Sequence, residues 1–555
     1  MLVRCVMSTA LSAWLLFRAA FAADDGLIGH WQFHGNAQDS SVHARHAIGE
    51  GVDFQAAGPG GQAGTAAGFD GRASKLEVPA AMLPPLGTSD FSVLVRVHVA
   101  EELDDLPGEI ISRYDPATRT GFRLGIDSRP GVTSSQANWQ NVHFGIDSGT
   151  EPGEWTDHGR LGNAILIFAL SVHDGQLFAG TCEAGADEAG RVFRFDGEQW
   201  HDCGAPVRCN SVSSLAVYDG NLYVASSKYR LRGSALAESE NPHRGGTVFR
   251  YEGDDHWVSC GTLPEIEAIN GLVVFRGKLY ASSLYAPAGF FRYEGGTTWT
   301  SCGVPDGKRV ESLAVHDGHI YASGYDEGAV YRFDGETWEH LGRIEGATQT
   351  YGFATYKSNL YVSEWPHAKV FRYGGGRTWH DVGQLGAEME SMPLAVYNGK
   401  MYAGTLPTAE VYRYDGDANW KKIARLDFTP DVTYRRVWSM AVYRGRLFAG
   451  TLPSGHVHSV EIGRNVTCDR SLEPGWHHIA AVRESGHLRL FIDGQLTATS
   501  ASFAPEEFVL TNGQPLRIGS GTTDHFNGRL SDLRLYGRAL GAEEIRRLSG
   551  PQSIR

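Results

Sequence analysis

One phrase recurs through the middle of the chain and restricts what it can fold into. Leu-Ala-Val-Tyr-Asp-Gly-x-Leu-Tyr-Ala, or a close variant, stands at 170–179, 215–224, 272–281, 313–322, 353–362, 394–403 and 440–449. Each of the first six copies is followed by an apolar-aromatic run and then a Trp: Trp200, Trp257, Trp299, Trp338, Trp379 and Trp420. Counting from Trp155, the Trp intervals run from 39 to 45 residues, with one of 57 where the second unit carries a long insertion. Apolar and polar residues alternate at period two and break at Gly or Asn-Gly type turns, which predicts strands and hairpins rather than helices.

Four short strands repeating every ~40–45 residues are the pattern of a β-propeller blade. The large Trp is expected to fill the wedge between blades near the rim. The seventh copy ends at Val457-His458-Ser459-Val460 without its Trp strand, and an orphan segment of that type, Trp155–Gly159, precedes the first copy. Residues 155–159 are therefore expected to complete the sheet of 437–462. That would close a ring of seven blades by hydrogen bonds instead of leaving an edge.

The runs Val330-Tyr331-Arg332-Phe333-Asp334-Gly335 to Trp338, following Ile320-Tyr321-Ala322, resemble the blade of kelch-type propellers. The chain departs from that pattern at the usual Gly-Gly doublet, which reads Ala179-Gly180-Thr181 or Ala225-Ser226-Ser227. The resemblance is to kelch-like propellers broadly and not to any enzyme among them.

The two outer segments, 26–150 and 475–548, are mostly alternating strand pattern, and each alone has too few strands for a sandwich. Trp476-His477-His478-Ile479-Ala480, Phe491-Ile492-Asp493-Gly494 and Phe526-Asn527-Gly528-Arg529-Leu530-Ser531-Asp532-Leu533-Arg534-Leu535-Tyr536 together resemble the laminin G-like, concanavalin-type jelly roll. In that family the strand matching Trp476–Ala480 follows shortly after the one matching 142–147, whereas here about 325 residues intervene. The expected fold is all-β: a jelly-roll sandwich assembled from 23–150 and 465–555, with a seven-bladed propeller, 151–464, inserted in one of its loops. A closed ring with adjacent ends suits such an insertion.

Residues 1–22 read as a signal peptide, with Arg4, an apolar run from Cys5 to Phe17, and Ala20-Phe21-Ala22 at the cleavage site. The expectation is an exported protein: secreted, periplasmic or at the cell surface, with no transmembrane segment beyond the signal peptide. A formal charge of −14 argues against nucleic acid as the main partner, because phosphate binding needs a basic stripe. Six Cys follow the leader: Cys182, Cys203, Cys209, Cys260, Cys302 and Cys468. None has Cys-x-x-Cys spacing, so a zinc knuckle is unsupported. Cys182 and Cys209 are expected on one face of the ring and to pair. Cys203, Cys260 and Cys302 hold equivalent outer-strand positions that diverge, and are expected to be buried free thiols.

The loop after each Leu-Tyr-Ala strand lies on the same face of a propeller. In four consecutive blades it carries an aromatic: Tyr229, Tyr285, Tyr325 and Trp365. The entries of the inner strands add Tyr351, Trp438 and Glu311. Aromatic faces stack on sugar rings while a few polar groups fix orientation, so these seven residues form the candidate ligand site. The plainer reading for each is loop packing.

No Gly-x-Ser-x-Gly, His-Glu-x-x-His or phosphate loop is present. The Gly-x-x-Trp tail of a sialidase-type box occurs at Gly335–Trp338 without the Ser that should precede it. His477 and His478, adjacent on a strand, point to opposite faces and cannot share a metal. No cofactor is identified. Calcium is possible in the outer domain through Asp39, Asp70 or Asp524, each of which also reads as a turn residue. The expected function is recognition of a glycan or a surface protein through the propeller top face or the jelly-roll rim. The alternative is a secreted carbohydrate hydrolase using channel-side acids such as Glu311.

Overall fold

The computed structural model describes residues 25–132 and 136–550. The signal peptide expected at 1–22 lies outside them. Among the described residues the only α-helix is Ala542–Ser549, and the rest of the regular structure is almost entirely strand.

Two seven-stranded sheets face each other, and each mixes strands from both ends of the chain. One runs in the order Leu27–Trp31, Asn527–Tyr536, Phe91–Val99, Gly475–Glu484, His487–Ile492, Gln495–Thr499, with Ala67–Asp70 also on Asn527–Tyr536. The other runs Ile48–Glu50, Lys75–Val78, Leu516–Ile518, Gly108–Asp115, Thr120–Arg129, Asn138–Ser148, Arg464–Cys468. Period-two alternation sets the register. Phe91, Val93, Val95, Val97 and Val99 all point into one core, with Ile479 and Ala481 from the neighbouring strand and Phe122, Leu124, Phe144 and Ile146 from the facing sheet. A slip of one residue would turn that whole row to solvent. Val466 lies opposite Phe144, so the strand that enters the middle region and the strand that leaves it are hydrogen-bonded neighbours.

The middle region is a propeller-like arrangement of sheets. Each repeated phrase forms the two innermost strands of a sheet, as in Leu272↔Ala281 and Leu394↔Ala403. The hairpins between them turn at residue pairs such as Asp174-Gly175, Asp219-Gly220, Asp317-Gly318 and Asn398-Gly399, where both members have positive φ. That is the turn whose twist matches paired strands, and Asn/Asp followed by Gly tolerates it best. The outer-strand Trp residues tie each outer strand to the outer strand of the preceding repeat. Trp257 Nε1 donates to the Cys203 carbonyl (2.9 Å), Trp299 to Cys260 (2.8 Å), Trp379 to Leu341 (3.0 Å) and Trp420 to Val382 (2.9 Å). Thr156–Arg160 pairs antiparallel with His456–Val460, so the first strand of the region completes its last sheet.

The sheets do not give seven separate blades. Five four-stranded sheets stand alone, and residues 166–262 form one continuous eight-stranded sheet. The continuity comes from a single pairing, Cys182↔Ser211, where the end of Gln176–Cys182 meets the start of Ser211–Tyr218. Glu183 N donating to the Asn210 carbonyl (2.9 Å) and Gly190 N to Cys209 (2.9 Å) hold that junction.

The sandwich docks on the hairpin face of the ring, and its Thr120–Arg129/Asn138–Ser148 hairpin reaches into the axis. Gln136 Oε1 accepts from Val217 N (2.8 Å), the Ala137 carbonyl accepts from Val172 N (2.9 Å), and Val132 packs among the aromatic residues of the channel. Behind it lies a buried charge network. Arg123 is paired with Glu109 at 2.8 Å, Arg129 with Asp127, and His143 bridges Asp127 (3.1 Å) and Asn465 (2.9 Å).

Candidate functional site

Counting two residues back from the first apolar residue of each repeated phrase gives Phe168, Ser213, Asn270, Glu311, Tyr351, Met392 and Trp438. These inner-strand entries face the axis. One arc is polar (Ser213, Asn270, Glu311) and the other apolar. The apolar arc and the aromatic loop residues form one cluster: Phe168, Tyr229, Tyr351, Met392 and Trp438 buried, with Tyr285, Tyr325 and Trp365 half-buried around them. Phe168 meets Trp438 edge-on at 4.9 Å between centroids and Tyr229 at 5.0 Å. All six aromatic residues named from the sequence therefore converge on one end of the channel.

Burial divides the six. The insertion within the second unit folds over the channel mouth, placing Leu231 and Leu236 in the cluster. Beneath it Tyr229 is 6% exposed, its hydroxyl bonded to Ser234 Oγ at 2.8 Å. Tyr351 is 5% exposed and Trp438 3%. These three present no free face, and their place in the site is corrected to packing. Tyr285, Tyr325 and Trp365 keep part of their surface. Arg230 stacks on Tyr285 (4.3 Å to the ring centre), Arg309 on Tyr325 (4.1 Å), and Tyr434 meets Trp365 edge-on at 6.2 Å.

Under this rim lies a polar layer. Arg436 Nε is 2.9 Å from Glu390 Oε1, Arg436 Nη2 donates to Glu390 Oε2 at 3.2 Å, and the guanidinium lies over Trp438. Glu311 is 4% exposed, and its Oε2 has no hydrogen-bond partner. Burial, reinforced by the charge of Glu390 and only partly opposed by Arg436 and Arg309, pushes the Glu311 carboxyl up to about 8. It is therefore mainly protonated at neutral pH and able to donate. The Asn270 amide lies against the Glu311 carboxyl and opposes part of its shift, and the hydroxyls of Ser312 and Ser391 are buried without partners. Buried polar groups in folded proteins are nearly all satisfied, so such a concentration at one channel end needs an occupant, either water or ligand. Arg309, Glu390 and Arg436 were not singled out in the sequence. The signal was available, because each stands two residues before an inner-strand entry.

A second concavity separates sandwich and ring. This cleft, of roughly 1560 Å³, is lined by Trp139 and Tyr218 and by many carboxylates, among them Asp104, Asp105, Asp317 and Asp524. Burial, with Asp105 next in weight, raises Asp524 to about 8. The other two calcium candidates are taken up as turn organisers. Asp39 accepts from His30 N, Ser41 N and Arg45 N at 2.8 Å each. Asp70 accepts from the amides of Arg72, Ala73 and Ser74 at 2.9–3.0 Å.

Cys182 and Cys209 are free thiols, which corrects the expected pairing. They lie near each other but unbridged: Cys182 packs into the aromatic cluster and pairs in register with Ser211, whose carbonyl accepts from Cys209 Sγ at 3.4 Å. Cys203 and Cys260 are free and buried. Cys302 is free but half-exposed, at the edge of the cluster that contains Trp338.

Residues 444–546 match the family model of the concanavalin A-like lectin/glucanases superfamily. No curated protein is similar in sequence. Among solved structures, a catalytically inactive virginiamycin B lyase from Staphylococcus aureus with quinupristin aligns at TM-score 0.45 and 11% identity, over 56% of this chain and 99% of that one. The extracellular domain of a hybrid two-component system protein from B. thetaiotaomicron aligns at TM-score 0.42 and 12% identity, over 62% of this chain and 46% of that one. Likeness at this level carries no argument about activity. No helix among the described residues is long and apolar enough to cross a membrane. The protein is all-β, with a propeller-like arrangement of sheets and a concanavalin-like domain.

Proposed function

We propose that this is an exported recognition protein that binds carbohydrate at the channel mouth of its propeller. The observation that carries the reading is the rim of Tyr285, Tyr325 and Trp365, half-exposed above buried polar groups that lack partners. A sugar ring stacks on such faces, and its hydroxyls can both donate to and accept from groups such as Asn270 and protonated Glu311. The concanavalin-like domain is compatible with the same role. In this reading the eight-stranded sheet is two kelch-like blades joined at Cys182↔Ser211, which makes seven around the axis. The ring of 151–464 is then an insertion in a jelly roll built from 23–150 and 465–555, and residues 1–22 are the export leader.

The alternative is a carbohydrate hydrolase in which protonated Glu311 is the acid and Glu390, paired with Arg436, is the second carboxyl group. Two buried carboxyl groups at one channel end favour it: Glu311 is pushed up to about 8, and Glu390 is raised by burial against the opposing charge of Arg436. A glycan-array screen of the purified protein separates the readings. Binding without turnover, lost in Trp365→Ala and Tyr325→Ala, is expected. Turnover abolished by Glu311→Gln would move the assignment to the hydrolase. Binding that survives both rim variants and is lost in Trp139→Ala would move the site to the interdomain cleft. No binding to any glycan would overturn the carbohydrate reading and leave a protein partner.

A further inference from the structure

Three metal-type ligands meet where the ring closes. His456 and His458 are two residues apart on His456–Val460, so their imidazoles lie on one face. Their rings are nearly parallel, 22° apart in plane with centroids 6.0 Å apart. Asp157 on Thr156–Arg160 lies directly opposite His458 in the strand register. The Asp157 carboxylate is 2.9 Å from His456 Nδ1 and 4.0 Å from His458 Nδ1. One ligand atom from each of the three falls within 4.8 Å of the others.

The local structure holds this set in place. Gly159, at φ 84°, turns the backbone so that its amide donates to Asp157 Oδ1 at 2.8 Å. Arg160, the nearest cation on the same strand, is drawn away by the carbonyls of Ala164 (2.7 Å) and Asn163 (2.6 Å). His458 is 8% exposed and its Nε2 has no partner. Asp157 is half-exposed, so the side facing solvent is open to a water.

We propose that Asp157, His456 and His458 bind a divalent transition ion of the zinc class, with water as the fourth ligand, and that the ion clamps the closing strand of the ring. Two imidazole nitrogens and one carboxylate oxygen suit zinc, cobalt or nickel rather than calcium or magnesium. From the single oxygen Asp157 Oδ1 the separations are 3.0 Å to His456 Nδ1 and 4.0 Å to His458 Nδ1, which bracket the roughly 3.3 Å between ligand atoms of a tetrahedral site with ~2.0–2.1 Å bonds. The clamp joins residue 157, at the start of the ring, to residues 456 and 458 at its end.

The test is zinc titration of the untagged, EDTA-stripped full chain by calorimetry, with the thermal melt followed in parallel. One equivalent and a rise in unfolding temperature are expected. Affinity should fall by more than about tenfold in His456→Ala and in the isosteric Asp157→Asn, while His256→Ala, at an exposed histidine elsewhere, binds as the parent does. Cobalt should give the intense visible band of a four-coordinate site, lost in the same two variants. His456 is half-exposed, so its alanine variant should melt like the parent in EDTA. No stoichiometric zinc, or an equivalent that survives both substitutions, overturns the proposal.

Discussion

Asn138 spends both atoms of its side-chain amide on one residue of the ring: Nδ2 donates to the Val442 carbonyl at 2.7 Å, and Oδ1 accepts from Val442 N at 2.9 Å. A sandwich side chain thus imitates a neighbouring strand and satisfies the axial edge of an inner strand. Asn138→Ala would leave two buried backbone groups unpaired. It is expected to destabilise the protein by about 2–3 kcal/mol in guanidinium unfolding. Asn138→Asp, of the same size, should also destabilise, because it sets a carboxylate oxygen against the Val442 carbonyl.

The pH dependence of stability has a defined sign at Glu311. Its carboxyl rises from 4.5 to about 8 on folding, so between these values the folded protein holds a proton that the unfolded chain has released. This group's contribution is fully present below pH 4.5 and is lost as pH rises through about 8. Glu311→Gln should remove that share of the decline, so the difference between variant and parent grows in the variant's favour up to that pH. Parallel denaturant series from pH 5 to 9 would show it, and parallel curves for the two proteins would refute it.

Arg436 and Glu390 are both almost fully buried, so cutting the pair on one side is costly. Arg436→Met alone is expected to lose about 3–5 kcal/mol, and adding Glu390→Gln should restore part of it. The double-mutant cycle gives the coupling directly.

Trp438 and Trp365 are expected to separate stability from binding. Trp438→Ala should destabilise by about 3–5 kcal/mol, because it empties the centre of the aromatic cluster. Trp365→Ala should cost less stability and act mainly on glycan affinity. A glycan that binds Trp365→Ala unchanged would remove that residue from the site.

Thiol titration of the native protein should find Cys302 reacting first, with Cys182, Cys203, Cys209 and Cys260 protected until unfolding. A Cys182–Cys209 bridge would instead appear as two thiols missing after denaturation and two daltons lost by mass spectrometry.

Much of this was legible in the sequence, because its signals are local. The alternation around Leu272–Ala281, the Asp-Gly hairpins and the recurrent Trp dictate strands, turns and sheet contacts within about forty residues of themselves. The missing strand of the last sheet and the orphan at Trp155–Gly159 even gave the closure, since an unpaired edge and a spare strand have one economical solution. That six aromatic residues share one end of the channel followed from their common place in the repeat. Tertiary structure alone decided which of them stay accessible. An insertion of no fixed pattern, bearing Leu231 and Leu236, covers Tyr229, Tyr351 and Trp438, while Val132 enters the channel from a sandwich hairpin. The pairing that merges two sheets at Cys182↔Ser211, the carboxyl shift at Glu311 and the meeting of Asp157 with His456 and His458 are of the same kind. Each depends on groups far apart in the chain, and distance, burial and field between such groups exist only once the ring has closed.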